Sequence, residues 1–269
     1  MTHTIQKPLA FVTNDDGIHT LFLHELVHAL QKDFEVCVVA PKKEQSWVGR
    51  AVSRGDDIEV QEFPGLGCSA WTVDGTPTDC SNIGLSHLCP RKPDIVISGI
   101  NLGFNYAFPM ILSSGTVAGA IEGALWGIPA LALSKAIPKE EFEKTRLSGG
   151  KLNGLALEGL RFAAVHSRVL ALQVMKLEPE GISVHNVNFP EVVTSATPIV
   201  KTYPAKLNLG PLFQKNEEHE DTYEFSFKAT NTNDEDPSSD LFNVKRGFIS
   251  HSVLDYSRLC PDGSAYQFQ

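Results

Sequence analysis

The run Asn14-Asp15-Asp16-Gly17 sets an amide and two adjacent carboxylates where the apolar stretch "LAFVT" stops. Two acids held close repel each other, and burial raises at least one of their pKa values. A cation, a lysine or water must therefore stand between Asp15 and Asp16. Two further positions offer oxygen donors after apolar runs: Ser46 in "APKKEQS" and Asn101 in "SGIN". Two carboxylates, a hydroxyl and an amide oxygen suit Mg²⁺, Mn²⁺ or Ca²⁺ better than structural zinc. The plainer alternatives are local. Asp15 and Asp16 could cap a helix beginning near His19, Ser46 could be an exposed loop hydroxyl, and Asn101 could be a turn amide between Gly99 and Gly103.

A second group is "SSGTVAGA", in which Ser113, Ser114, Gly115 and Thr116 precede a run of small residues. A helix starting there presents free N–H groups and the positive end of its dipole, which together favour an anion. A serine or threonine in that place is also an ordinary cap. Other signatures are missing. There is no GxGxxG, no GxxxxGK[ST] and no G-x-S-x-G, while His24-Glu25-Leu26-Val27-His28 carries the HExxH spacing. His24 and His28, four apart on one helix face, are expected to face solvent, and Cys80 reads as a small packed residue.

The elements that must position these groups are legible as alternating periods. "PLAFVT", "FEVCVVAP", "PDIVISGIN", "IPALALS" and "GISVHNVNFP" are strands, apolar nearly throughout. "HTLFLHELVHALQKDF", "GTVAGAIEGALWG" and "KLNGLALEGLRFAAVH" have helical spacing. Such alternation predicts an α/β fold, a mostly parallel sheet covered by helices on both faces. Ligands of open α/β sheets bind beyond the carboxyl ends of the strands, where Asp15, Asp16, Ser46 and Asn101 fall. Composition changes near Thr197. Residues 1–196 read as the core and residues 197–269 as a β-rich appendage, with "TYEFSFK" as a hairpin strand and "TNTNDEDPSSD" as a mobile loop.

At 269 residues, 42% hydrophobic and 20% charged, the chain has the composition of an ordinary globular protein. A net charge of −9 disfavours a nucleic acid polymer or an acidic membrane surface as partner. Five cysteines without a CxxC argue against a disulfide framework and fit a reducing, cytoplasmic setting. No signal peptide and no membrane span is expected.

The segments "VTNDDGIHT", "VVAPKKEQSWVG", "VDGTPTDC", "PDIVISGINLGFN" and "SSGTVAGAIEGALWGIPALALS" resemble, in this order, the motifs of the SurE (survival protein E) family of nucleotidases. The likeness is dense over residues 9–134 and returns at "NVNFP" and "SSDLFNVKRGFIS". It implies a Rossmann-like three-layer α/β/α core and a divalent-metal phosphatase of nucleoside 5′- and 3′-monophosphates. It also implies a homodimer or homotetramer with exchanged C-terminal arms. By position, the resemblance makes Asp15, Asp16, Ser46 and Asn101 the ligands of one Mg²⁺ or Mn²⁺, with Asp15, Asp16 and Asn101 catalytic. Ser114, Gly115 and Thr116 lie beside the phosphate. Asn14, Trp47, Arg50 and Asn105 are candidate substrate residues. The chain departs from the family where Trp47, Arg50 and "AFPMILS" stand, so these departures bear on substrate choice. Two other classes share the ingredients. A metal-dependent nucleotide sensor would use the same groups without turnover, and a dinucleotide oxidoreductase would share the fold class but lacks its glycine fingerprint.

Overall fold

The computed structural model describes residues 6–55, 57–178, 181–217, 219, 221–227 and 234–259. The chain opens with β1 (Leu9–Thr13), α1 (Leu21–Leu30), β2 (Glu35–Pro41), β3 (Val60–Glu62), β4 (Ser69–Val73) and α2 (Pro77–Ile83). There follow β5 (Ile95–Leu102), α3 (Phe108–Ser113), α4 (Gly115–Leu125), β6 (Ala130–Lys135), α5 (Lys139–Leu147), α6 (Gly154–Val174) and β7 (Ser183–Phe189). The last elements are β8 (Ile199–Thr202), β9 (Phe213–Lys215), β10 (Tyr223–Phe225), α7 (Asp240–Lys245) and β11 (Ile249–Asp255).

Nine strands form one sheet in the order β3-β4-β2-β1-β5-β6-β7-β11-β8. The strands from β4 to β7 are parallel, while β3 and β11 run antiparallel to their inner neighbours. The three-layer expectation is met. Alternation along β1 shows why: Ala10 and Val12 pack with α1 and α6 on one face, and Leu9 and Phe11 pack on the other beside Cys80 of α2. The chain leaves β1 toward β2 on one side and returns to β5 on the other. The ends of β1 and β5 are thus the switch point of the sheet, where a crevice must open.

Helix α4 lies against this switch point with almost no space beneath it. A methyl group added at Gly119 would come within 2.8 Å of Thr13, and one at Gly123 within 2.5 Å of Val96. Glycine on that face lets backbone meet strand directly.

A boundary at residue 196 does not follow the sheet. β8 and β11 are strands of the nine-stranded sheet, and α7 packs on β11, so much of the later chain belongs to the core architecture. Among the described residues only β9 and β10 form a separate two-stranded hairpin. Part of the expected mobile loop, residues 230–233, lies outside the described residues. Its remainder turns into α7, with Ser239 capping the Phe242 N–H. Among the described residues no helix is long and apolar enough to cross a membrane. Cys37, Cys68, Cys80 and Cys89 are free thiols, and Cys80 is fully buried as expected.

Across β7 and β11, Nδ1 of His185 and Nε2 of His251 stand 2.8 Å apart. Burial lowers the His251 pKa to about 4, assisted by the nearby charges of His185 and Lys201. A depressed folded pKa means that the unfolded chain takes the proton first. This contribution is present above the unfolded value near 6.5 and is lost as pH falls toward 4. Between pH 7.5 and 5 the loss is about 2 kcal/mol. The difference in melting temperature between the wild-type chain and His251→Gln is expected to narrow or reverse over that interval. A constant difference would contradict it.

Candidate active site

The turn after β1 is built so that its carboxylates stay where the strand leaves them. Asn14 is fully buried, and its Nδ2 donates to the Gly17 carbonyl at 3.0 Å. Gly17 itself has φ +90°, a conformation that side chains other than glycine rarely adopt. Neither acid caps α1, whose N-cap is Thr20. Asp15 Oδ1 instead accepts the Thr116 hydroxyl at 2.6 Å, and Asp16 Oδ2 accepts the Leu102 N–H at 2.7 Å. The Asp15 carbonyl accepts the Gln45 N–H at 2.7 Å. Each of these bonds ends on or beside another candidate residue. Leu102 follows Asn101, Gln45 precedes Ser46, and Thr116 belongs to the proposed anion segment. Three loops therefore converge on one pair of carboxylates.

Asn101 owes its position to a break in the ladder. The β5–β6 register shifts between Ser98 and Asn101. Such an irregularity re-aims side chains at a strand end. Gly99 has φ +129°, and a methyl group there would stand 2.4 Å from the Leu133 carbonyl oxygen. Ser46 is exposed, and its hydroxyl donates to Glu44 Oε1 at 2.6 Å. Glu44 also pairs with Arg146 at 3.0 Å. Sequence reasoning passed over Glu44, a third carboxylate close enough to raise both aspartate pKa values.

The electrostatics ask for a cation. Burial pushes the Asp15 carboxyl up to about 6, against the lowering effect of the Thr116 hydroxyl. Burial, and then the charge of Asp15, hold Asp16 well above the usual carboxylate range. Among the described residues no lysine, arginine or histidine forms an ion pair with either acid. Two adjacent acids without a protein counter-charge, and oxygen donors on the neighbouring loops, fit a hard divalent cation. Among the described residues there is no cluster of three or more His, Cys, Asp or Glu side chains suited to a metal, so any such ion depends on Ser and Asn oxygens as well.

The start of α4 is capped by its own serine. Ser114 is the N-cap, and its hydroxyl accepts the Val117 N–H at 3.1 Å. Ser113 donates to the Pro109 carbonyl. Gly115 is where α4 touches the acids: a methyl group there would meet Asp15 Cβ at 2.8 Å. The amides that open the helix thus lie against the carboxylate pair.

The remaining candidates have partners within the chain. Asn14 closes its own turn through Nδ2, while its buried Oδ1 has no hydrogen-bond partner. Asn105 is buried too, donating to Ser134 Oγ at 2.8 Å and accepting the Asn186 amide on its carbonyl. Arg50 is half exposed, and its Nη2 donates to Glu122 at 2.8 Å. The Trp47 ring lies 5.1 Å from Phe225 and 5.2 Å from Phe227 of the chain's own hairpin. His28 is exposed as expected, but His24 is part-buried, with Nε2 2.8 Å from the Ile18 carbonyl and its ring against Phe63. One anchor escaped sequence reasoning altogether. Asp240 is fully buried and accepts N–H bonds from Ala107, Ala205 and Leu241, tying the end of the chain to the loop that follows Asn101. Its signal was the Ser-Ser-Asp opening of a short helix.

Comparison with known proteins bears on the family and the fold. The family model described as survival protein SurE matches residues 10–207. The protein named 5′-nucleotidase SurE of Citrifermentans bemidjiense is 33% identical over 246 residues, 90% of this chain and 91% of that one. Its namesake from Pelotomaculum thermopropionicum is 31% identical over 91% of this chain and 88% of its own. The crystal structure of the SurE protein from Aquifex aeolicus superposes with a TM-score of 0.68 at 27% identity, covering 92% of this chain and 93% of the other.

Proposed function

The chain belongs to the survival protein SurE family, and on that premise we propose that it hydrolyses nucleoside 5′- and 3′-monophosphates to nucleoside and phosphate with one divalent cation. At the coarser level it is a hydrolase of phosphoric monoesters, a nucleotidase by family. The observation that carries the finer reading is the contact of Thr116 with Asp15. It joins an unneutralised pair of acids to the N-terminus of α4, the two halves that phosphate transfer requires.

Asp15, Asp16, Ser46 and Asn101 would hold the cation, with Mg²⁺ or Mn²⁺ the ions that suit this donor set. When bound, it would supply Lewis acidity toward a phosphoryl oxygen and a lowered pKa for a coordinated water. The residues of the chain have separate tasks. The Gly115 and Thr116 amides, ahead of the capped Val117 N–H, orient non-bridging phosphate oxygens. Burial raises the Asp15 carboxyl when no cation is present; a bound cation would bring it down again, and the ionised carboxylate would then be placed to accept a proton. Thr116 fixes the Asp15 rotamer, and the Leu102 N–H fixes that of Asp16.

The test is phosphate release from a panel of mononucleotides against a panel of divalent cations. Activity is expected to vanish in EDTA and to return with Mg²⁺ or Mn²⁺. Full activity after exhaustive chelation would rule out the cation, and nucleotide binding without phosphate release would make the protein a sensor. We also propose a homodimer or homotetramer joined through the C-terminal arm. Phe213, Tyr223 and Phe225 of the β9–β10 hairpin are exposed, an apolar surface that a second copy would cover. Light scattering at micromolar concentration is expected to show the assembly, and a clean monomer would refute it.

A further inference from the structure

A cavity of about 250 Å³ opens between the loop after β2 and the helices α2 and α4, lined by Arg50, Val52, Thr78, Asn82, Ile83 and Glu122 among others. Its polar inventory is lopsided. Glu122 is buried and already engaged, taking Arg50 Nη2 at 2.8 Å and Asn82 Nδ2 at 3.0 Å. Asp79, also on the wall, is occupied by Ser53 and the Thr76 N–H. The carboxylates therefore offer little to a ligand. Thr78 is 2% exposed, yet its hydroxyl has no hydrogen-bond partner. Arg50 spends one N–H on Glu122 out of the several that a guanidinium carries. Opposite these groups, Val52, Ile58 and Ile83 supply apolar walls. Glu122 cancels the charge of Arg50, so the cavity is a poor second phosphate site. Apolar walls with a few convergent donors fit a flat heterocycle with acceptor atoms on its edge.

Its position relates it to the acids. Glu122 lies six residues along α4 from Thr116, an axial rise of about 9 Å. One loop forms the wall between them. It is pinned at Gln45 to Asp15, at Gly49 to the Ser113 carbonyl, at Ala51 to the Thr76 hydroxyl and at Ser53 to Asp79. A phosphate held at the start of α4 leaves the rest of a nucleotide to run along this wall into the cavity.

We propose that this cavity is the base subsite and that it prefers guanine, read by Arg50 and the Thr78 hydroxyl. The inference rests on the nucleotidase reading above. Guanine presents two acceptors, O6 and N7, to a guanidinium fork, whereas adenine presents a donor beside N7, and pyrimidines lack N7.

The experiment compares kcat/KM for GMP, AMP, CMP, UMP and p-nitrophenyl phosphate in the intact chain, in Arg50→Lys and in Thr78→Val, with thermal denaturation as the check of folding. The wild-type chain is expected to favour GMP over AMP by about tenfold or more, and each variant to lower the ratio of GMP to p-nitrophenyl phosphate about tenfold, the worth of one good edge contact. Guanosine, which has no phosphate, is expected to bind the wild-type chain by calorimetry and to bind Thr78→Val more weakly. No base preference, or equal losses for GMP and p-nitrophenyl phosphate, would overturn the subsite. If no substrate releases phosphate, the nucleotidase reading fails. Guanosine binding then decides the cavity alone, and unchanged affinity in a folded Thr78→Val overturns it.

Discussion

Asp16→Asn is expected to release phosphate about 10²–10³-fold more slowly than the wild-type chain, while its metal-free form melts at a higher temperature. The loss follows, on the proposed function, from removing one of the two charges that would face the cation. The gain follows from the same change. Burial and the charge of Asp15 hold the Asp16 carboxyl well above its ordinary range, so the ionised group is a burden on the folded state when no cation is present. The sign can be checked against pH. A raised folded pKa makes the folded state hold its proton longer than the unfolded chain. The natural acid costs stability at high pH and costs nothing once pH falls below its unfolded value. The advantage of asparagine should therefore be greatest in alkaline EDTA and fade toward acid. The amide oxygen can still accept the Leu102 N–H, so the local backbone survives. Paired melting curves and phosphate-release rates test both halves. An active, destabilised Asp16→Asn chain would make the pair structural.

The second large effect belongs to a residue far along the chain. Asp240→Ala removes the acceptor of the Ala107, Ala205 and Leu241 N–H groups at once. Buried donors left without partners cost about 1–3 kcal/mol each, and some will find water, so a loss of about 3–5 kcal/mol is expected. For a chain of this size that lowers the melting temperature by roughly 10 °C. Asp240→Asn keeps one acceptor oxygen and should fall between. Phosphate release should fall with stability, because the freed segment connects Asn101 to α3 and α4. Calorimetry of the three proteins measures the order. Equal stability of Asp240→Ala and the wild-type chain would show that these bonds hold nothing.

Much of this arrangement was legible in the amino-acid sequence. The strand ends at Asn14, Pro41 and Asn101 follow from apolar runs broken by polar residues, and parallel strands force those ends onto one edge. The small-residue helix at Gly115 was visible by the same logic. What period and composition cannot show is who occupies whom. Arg50 reads as a free cation until Glu122, distant in sequence, is found beneath it. Asn14 and Asn105 read as substrate candidates, yet the fold buries both, one bonded to the Gly17 carbonyl and the other to Ser134 Oγ. Trp47 reads as a substrate candidate and is packed against Phe225 and Phe227. The later residues read as β-rich, but that β8 and β11 join the main sheet was missed, because both are short or partly exposed and pair with strands whose identity only topology supplies. Asp240 carries no local periodicity at all. Its importance is a long-range contact.

The glycine face of α4 decides where such a protein has room to evolve. Gly115, Gly119 and Gly123 meet Asp15, Thr13 and Val96 so closely that one added carbon at any of them would move the helix, and with it the amides beside the acids. That surface is closed to innovation, and a library of variants built there would mostly return inactive proteins. The loop from Arg50 to Gly55 is exposed and leaves the acids untouched. Changes of substrate, whether by natural divergence or in the laboratory, are cheapest on that rim.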